Sequence, residues 1–484
     1  MKMIKKYLYS SIILSFIFGA INAQYIGSSG LSDPVSVSLG NTYTARPDGI
    51  YSIGKNPANL AFLENSEMYC PLPIPEISVS AGTDFMNIDE FNYFFGGDGQ
   101  NQNGETIGRY LTPKDVTRFK DLFENGNNVN GDISIRYLAF TLKLAPSIGV
   151  FGFSISDRVS VNASVPRDLV ELMDGNEIGK EYSLSDLRLN SWYVRDYTLS
   201  YGRDLSSLMP DYFNSFSAGI SLKLLHGFSY SRIESSGSSF QVTDDARMNF
   251  VGDLSVRSAF SPDFGVKYDF EEEEKKSAVS GPFHTPAGTG FGLDLGVTAK
   301  MFDYFTFAIS VTDIGSIKWD KETANYISDT KFTLDGFFGK DNYSDIVDSA
   351  LKTLEPKGEY AKEFSSDLPT ALHIGAAFSL DKFLAVNFPG TMDIYADYHQ
   401  GFNEMPLNSL TPRFALGVDW KPAKWFAFRN GISAGGIEGF NWSAGIGFDT
   451  GALRIDFATQ HFHSWLNGNS AKRVSLLVGS RWIF

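Results

Sequence analysis

"NWSAGIGFD", residues 441–449, decides the fold. In an extended chain Trp442, Ala444, Ile446 and Phe448 fall on one face, and Ser443, Gly445, Gly447 and Asp449 on the other. A period of two belongs to a β-strand. The next segment repeats it, setting Leu453, Ile455 and Phe457 against Arg454, Asp456 and Ala458. Upstream, Phe414, Leu416, Val418 and Trp420 alternate with Arg413, Ala415, Gly417 and Asp419. Segments 216–224, 291–298, 305–311 and 372–379 behave the same way.

Windows of this length suit transmembrane β-strands, which need about 9–11 residues. In such barrels the apolar face meets lipid, and the small or charged face lines the lumen. Strands of a soluble sandwich also alternate, but their usual length is about 5–6 residues. Gly and Ser beside isolated charges fit a packed lumen better than a solvated surface. Trp420, Trp425, Trp442, Trp482 and Phe484 stand near strand ends, where interfacial aromatic girdles belong. The predicted fold class is therefore all-β: a transmembrane antiparallel β-barrel of about 14 strands, an even number as such barrels require. Strands begin near Glu76. Tight turns at 420–424 and 450–452 would lie on one rim, and long extracellular loops at 157–192, 229–290 and 313–370 on the other.

Composition agrees. The 484 residues are 43% hydrophobic and 14% aromatic, and 46 are Gly. The single cysteine, Cys70, leaves no internal disulfide to form. Met-Lys-Met-Ile-Lys-Lys, an apolar stretch over 7–21 and Ala23 before Gln24 read as a secretory signal peptide, residues 1–23. That stretch is short of the roughly 20 residues a spanning helix needs. Residues 24–70 then precede the barrel, residues 71–484. The formal charge of −15 excludes a nucleic-acid partner, which needs a basic footprint.

His461 and His463, at spacing two, would share one strand face and could chelate a metal. No CxxC, HExxH or carboxylate cluster joins them, so no metal is expected. Neither a G-x-S-x-G elbow nor a P-loop occurs, so no enzyme activity or cofactor is expected. Arg413, Asp419, Arg429, Asp449, Arg454, Asp456 and Arg481 all fall on the small or polar parity of the C-terminal strands. Such a two-signed ladder could anchor a plug or shape a conduit, or pair internally and seal the lumen. Thr112-Pro113-Lys114 opens an amphipathic helix over 115–124, carrying Val116, Phe119, Leu122 and Phe123. Residues 338–355 carry another, with Ile346, Val347, Ala350, Leu351 and Leu354 on one side. Both are expected to pack on their own rim. The Glu271–Glu274, Lys275-Lys276 run reads as a solvated loop tip.

One segment does not alternate. "ARPDGIYSIGKNPANLAF", residues 45–62, is broken by Pro and Gly. Asn56 can cap a helix whose first residue is Pro57, and Gly49 and Gly54 allow tight turns. Short and capped, the segment can pack inside a barrel where a long helix would not fit. Together with Leu39-Gly40-Asn41, it resembles the N-terminal hatch of the long-chain fatty-acid transporter (FadL-like) family. Asp48, Gly49, Asn56, Pro57 and Ala58 occupy hatch positions, while Lys55 stands where that family often has Trp. Asp313-Ile314-Gly315 with Trp319, Asp367-Leu368-Pro369 and Arg413–Gly417 look like further family positions. The compact C-terminal third is similar to uncharacterised FadL-like barrels of Bacteroidetes-type bacteria. The C-terminus resembles the aromatic signal, here Trp482 and Phe484, that the outer-membrane assembly machinery reads.

The resemblance implies a barrel in the outer membrane of a Gram-negative bacterium, plugged at residues 24–70. Its partners would be outer-membrane lipid, the assembly machinery and a hydrophobic small molecule passing by plug-gated diffusion. The family also includes the PorV-like barrels of type IX secretion, which implies an alternative: secreted proteins bound by the long loops. A third reading is a structural barrel with a sealed lumen.

Overall fold

The alternating segments pair edge to edge until the sheet closes on itself. The computed structural model describes residues 33–99, 107–145, 147–174, 177–209, 212–245, 247–271, 281, 283–334, 356–384, 388–436 and 439–484. Of the 21 strands among these described residues, 14 close the barrel. In chain order these are β1 (Glu76–Thr83), β2 (Asn128–Lys143), β3 (Val150–Ser164), β4 (Arg188–Asp204), β5 (Ser215–Ser236), β6 (Gly288–Met301) and β7 (Phe305–Trp319). β8 (Ala371–Ser379), β9 (Thr391–Gly401), β10 (Arg413–Ala423), β11 (Phe426–Gly435), β12 (Asn441–Asp449), β13 (Leu453–Thr459) and β14 (Arg473–Ile483) complete them. Each is antiparallel to its sequence neighbours, and β14 pairs with β1 to close the wall.

Closure is what lets a sheet sit in lipid, because an open edge there would leave its amide and carbonyl groups unpaired. The alternation decides which face turns out. Leu416 is 51% exposed, whereas the neighbouring Ala415 is 5% exposed. Phe414, Phe428, Phe448, Val474 and Leu476 also point outward, and Arg413, Asp419 and Arg429 are buried. An apolar band outside and charge inside is the construction of an outer-membrane β-barrel. Among the described residues no helix is long and apolar enough to cross a membrane.

One rim carries the short connections between β2 and β3, β6 and β7, β10 and β11, and β12 and β13; the C-terminus lies there too. The other rim is larger than the sequence suggested, because much of the expected loop is strand. β3 runs to Ser164, β5 to Ser236 and β7 to Trp319. Beyond them Met248–Phe260 pairs with both β5 and Thr323–Leu334, carrying the sheet past the membrane. Outside lipid the membrane parity no longer applies: Trp192, Tyr230, Ile317 and Trp319 turn inward there, and Ser316 and Lys318 outward.

The wall at its first strand is bipartite. Glu67–Tyr69 pairs with β2 and β14 below β1, and Cys70–Pro75 bulges outward between them. Pro71, Pro73 and Pro75 have no N–H to leave unpaired in the bulge. Trp482 Nε1 donates to Leu72 O at 3.2 Å and Ser480 Oγ to Ile74 O at 2.9 Å.

On the long-loop rim, Pro113–Leu122 is the expected helix. Thr112 and Asp115 cap it reciprocally, and Phe119, Leu122 and Phe123 pack on Phe85, Met86 and Val170 of their own rim. Hydrogen bonds from Thr112 and Tyr93 hold the Asp115 carboxyl down at about 2. Residues 1–23, the 338–355 helix and residues 272–276 of the charged run lie outside the described residues.

Candidate functional site

Residues 33–63 lie inside the barrel. They form a helix, Pro34–Ser38, and two 3-10 turns, Gly49–Ser52 and Pro57–Phe62. Asp33 caps the first and Asn56 the last, each accepting from a backbone N–H two or three residues on. Pro34 and Pro57 follow these caps, where a missing N–H costs nothing. Gly49 (φ +51°) and Gly54 (φ +73°) adopt the left-handed backbone that the sharp turns require.

The wall is shaped to receive this segment. A Cβ on Gly202 or Gly219 would meet the Pro57 backbone, one on Gly296 the Asn56 amide, and one on Gly431 the backbone at Leu39 and Gly40. The inward glycines of the alternating strands are thus close-approach positions. Among the described residues, every backbone–backbone hydrogen bond made by residues 33–63 stays within the segment. Side chains fasten it to the wall.

Toward the short-turn rim, Arg481 of β14 reaches Asp48 at 2.7 Å and Glu67 at 3.3 Å, and donates to the Asp48 carbonyl at 3.2 Å. Glu67 in turn accepts from Ile50 N at 3.0 Å, and Arg46 pairs with Asp48 at 2.5 Å. Beside them Arg429 joins Asp419 at 3.2 Å and Asp456 at 2.7 Å. In a low-dielectric interior such charges are tolerable only when paired. Arg46, Asp48, Arg429, Asp449, Arg454, Asp456 and Arg481 border a cavity of about 570 Å³ with Phe426, Phe448 and Lys421.

Toward the other rim, Asp397 of β9 accepts from Tyr43 N at 2.8 Å, Thr44 N at 2.9 Å and Thr44 Oγ1 at 2.7 Å. Lys55 pairs with Asp33 and stands 4.9 Å from the centre of the Tyr43 ring. Lys223 bonds Asp294 at 2.8 Å and Asp313 at 2.7 Å, and Arg158 bonds Asp196 at 2.6 Å. A second, polar cavity of about 150 Å³ opens here, bordered by Tyr43, Lys55, Arg136, Arg158, His373 and His399. The inner segment therefore has one cavity at each face. Asn56 and Asn59 lock its middle, both bonding Thr298 of β6 and the Thr44 carbonyl.

The structure brings five of the seven predicted lumen charges against or beside the inner segment. Arg413 donates to the Gly40 carbonyl at 2.6 Å, Arg481 binds Asp48, and Arg429 links Asp419 and Asp456. Asp449 and Arg454 instead pair with each other at 2.5 Å, half-buried at the short-turn rim. Pro57 and Ala58 are buried against β5. Trp482 packs at the bulge, and Phe484 is exposed at the chain end.

His461 and His463 are not on a strand, contrary to expectation. β13 ends at Thr459; His461 precedes the helix Phe462–Asn467, which carries His463, and the two rings stand 6.2 Å apart, nearly perpendicular. The period of two was read across a helix start, although Ser464-Trp465-Leu466 already breaks it. The residues missed are Glu67, Lys223, Asp294, Asp397, His373 and His399. The signal for most of them was the same parity rule, applied to β5, β6, β8 and β9 instead of the last strands alone.

Among curated proteins none matches this sequence. Solved structures do resemble the chain. The toluene transporter TbuX of Ralstonia pickettii is 12% identical, with a TM-score of 0.45 over 94% of this chain and 99% of that one. The toluene transporter TodX of Pseudomonas putida is 11% identical, with a TM-score of 0.44 over 94% and 99%. A Pseudomonas aeruginosa FadL homologue is 13% identical, with a TM-score of 0.40 over 95% and 97%. A family model covers most of the sequence, matching residues 58–459. The chain belongs to that family, DUF5723, a family of unknown function.

Proposed function

We propose that residues 24–70 act as a plug, and that the barrel passes hydrophobic small molecules across the outer membrane by diffusion when the plug shifts. The observation that carries this reading is how the inner segment is attached. Among the described residues it shares no backbone ladder with the wall, and side-chain bonds and ion pairs hold it between two cavities. A segment held this way can leave its seat without unzipping the barrel. The lumen charges Arg413, Asp419, Arg429, Asp456 and Arg481 serve as its anchors, and Asp449 and Arg454 flank the lower entrance. Trp482 and Phe484 act in assembly as the terminal signal. The upper cavity is small and polar, so an apolar solute would pass only with the plug displaced.

The direct test is selectivity in liposomes. An apolar aromatic probe should cross faster through the barrel than a polar solute of similar size. Equal leakage of both, or none of either, contradicts the proposal. A second reading, capture of secreted proteins, draws support from the sheet that Met248–Phe260 and Thr323–Leu334 extend beyond the membrane. Pull-down of partners that is lost on trimming those strands would favour it.

A further inference from the structure

Two histidines on adjacent wall strands meet one tyrosine of the inner segment. His373 of β8 and His399 of β9 are direct cross-strand partners, and their Nδ1 atoms stand 3.0 Å apart. Tyr43 Oη lies 3.2 Å from the same His373 Nδ1. Both contacts meet at His373 Nδ1, at the edge of the polar cavity.

The far side of each ring is already held. His373 Nε2 is 3.0 Å from Thr312 Oγ1, and His399 Nε2 is 3.4 Å from Asn408 Oδ1. Asn408 Nδ2 donates to Thr370 O, Asn403 O and Asn403 Oδ1, so its Oδ1 can only accept. His399 therefore carries its proton on Nε2 and presents a bare Nδ1 lone pair to His373. An outer oxygen fixing the distal nitrogen while the proximal lone pair points inward is how metal-binding histidines are oriented. Two donors at right angles on bonds of ~2.0–2.1 Å stand about 2.9 Å apart, close to the spacing seen here.

We propose that His373 Nδ1, His399 Nδ1 and Tyr43 Oη bind a transition-metal dication of the Cu(II) or Ni(II) type, with a further position open to the cavity. Nitrogen and oxygen donors in a tetragonal arrangement select these ions. On binding, Tyr43 gives up its phenolic proton to water and ligates as phenolate. Of the nearby cations, Lys55 is matched by Asp33, Lys223 by Asp294 and Asp313, Arg158 by Asp196 and Arg136 by Glu76, and Arg413 donates to the Gly40 carbonyl. Because Tyr43 belongs to the inner segment and the histidines to the wall, the ion would fasten one to the other. That consequence rests on the plug reading; the site itself does not.

The test uses the full-length barrel, purified in detergent and stripped with a chelator. Titration with Cu(II) should show one tight equivalent, with two-nitrogen coupling in its electron paramagnetic resonance spectrum. His373→Gln with His399→Gln should weaken uptake at least about tenfold, since even outer-shell losses cost 10–100-fold. Tyr43→Phe should remove the phenolate-to-copper absorption, and His463→Gln should change nothing. Heat-modifiable electrophoretic mobility confirms that each variant is folded. Absence of stoichiometric uptake, or uptake that survives the double substitution, overturns the site. Copper should also slow flux through the wild-type barrel. Binding with unchanged flux would leave the site standing and count against the plug reading.

Discussion

The wall and the inner segment occupy the same lumen boundary but are held by different physics. The wall is a continuous ladder, each strand antiparallel to two neighbours and closed through β14 and β1. It has no edge to fray, and lipid has no water to replace a broken bond. The inner segment has no such ladder. Its stability in place comes from Val35, Leu39, Ile50, Tyr51, Ile53 and Leu60 packed on Tyr69, Ala139, Val150 and Tyr395, from buried ion pairs, and from glycines that let it approach the wall. Wall bonds are a continuous backbone ladder, whereas the segment is tied to the wall through side chains, so single substitutions should separate the two.

The largest effect should follow from Arg481→Met. It leaves Glu67 as a buried charge without its cation and Asp48 with Arg46 alone, a loss of about 3–5 kcal/mol. The segment should unseat while the barrel stays closed, read as faster probe flux and new protease cleavage at Arg46 or Lys55. Leu416→Arg is the converse. A charge on the lipid face near mid-membrane costs about 2–4 kcal/mol of barrel stability. Urea titration of folding into lipid should show that loss, with no gain of flux in the molecules that fold.

Asn56→Ala should be milder. It removes one cap and the bonds to Thr44 and Thr298, weakening the segment's seat by about 1–2 kcal/mol. A small rise in flux with unchanged barrel stability is expected. Smallest of all, Thr112→Ala should loosen only the rim helix Pro113–Leu122, by about 1 kcal/mol. Faster amide exchange confined to that helix is the expected readout, since it anchors neither wall nor inner segment.

The same contrast explains what the sequence could reveal. Wall strands inside the membrane obey one rule, apolar outward and small or charged inward, so parity alone located Arg413, Asp419, Arg429, Asp456 and Arg481. The Asn56-Pro57 helix start was equally legible, because capping is local. Where the rule stops, so did the reading. Beyond the membrane β7 reverses the rule, with Ile317 and Trp319 inward and Ser316 and Lys318 outward, and the end of β5 is mostly polar, so neither matches the pattern of the membrane strands. The partners of the inner segment are far apart in sequence: Tyr43 meets Asp397, and Asp48 meets Arg481. Only barrel closure brings them together, and no spacing in the chain announces it. His461 and His463 failed for the opposite reason, a short local pattern carried past the end of its strand.

Whether the inner segment closes the lumen is tested most directly by removing it. A chain lacking residues 24–62, refolded into liposomes beside the intact barrel, should release an apolar probe at least tenfold faster at equal protein density, with the wall still heat-modifiable. Unchanged flux from a correctly closed barrel would contradict the account: the segment would then be a structural filling and not a gate.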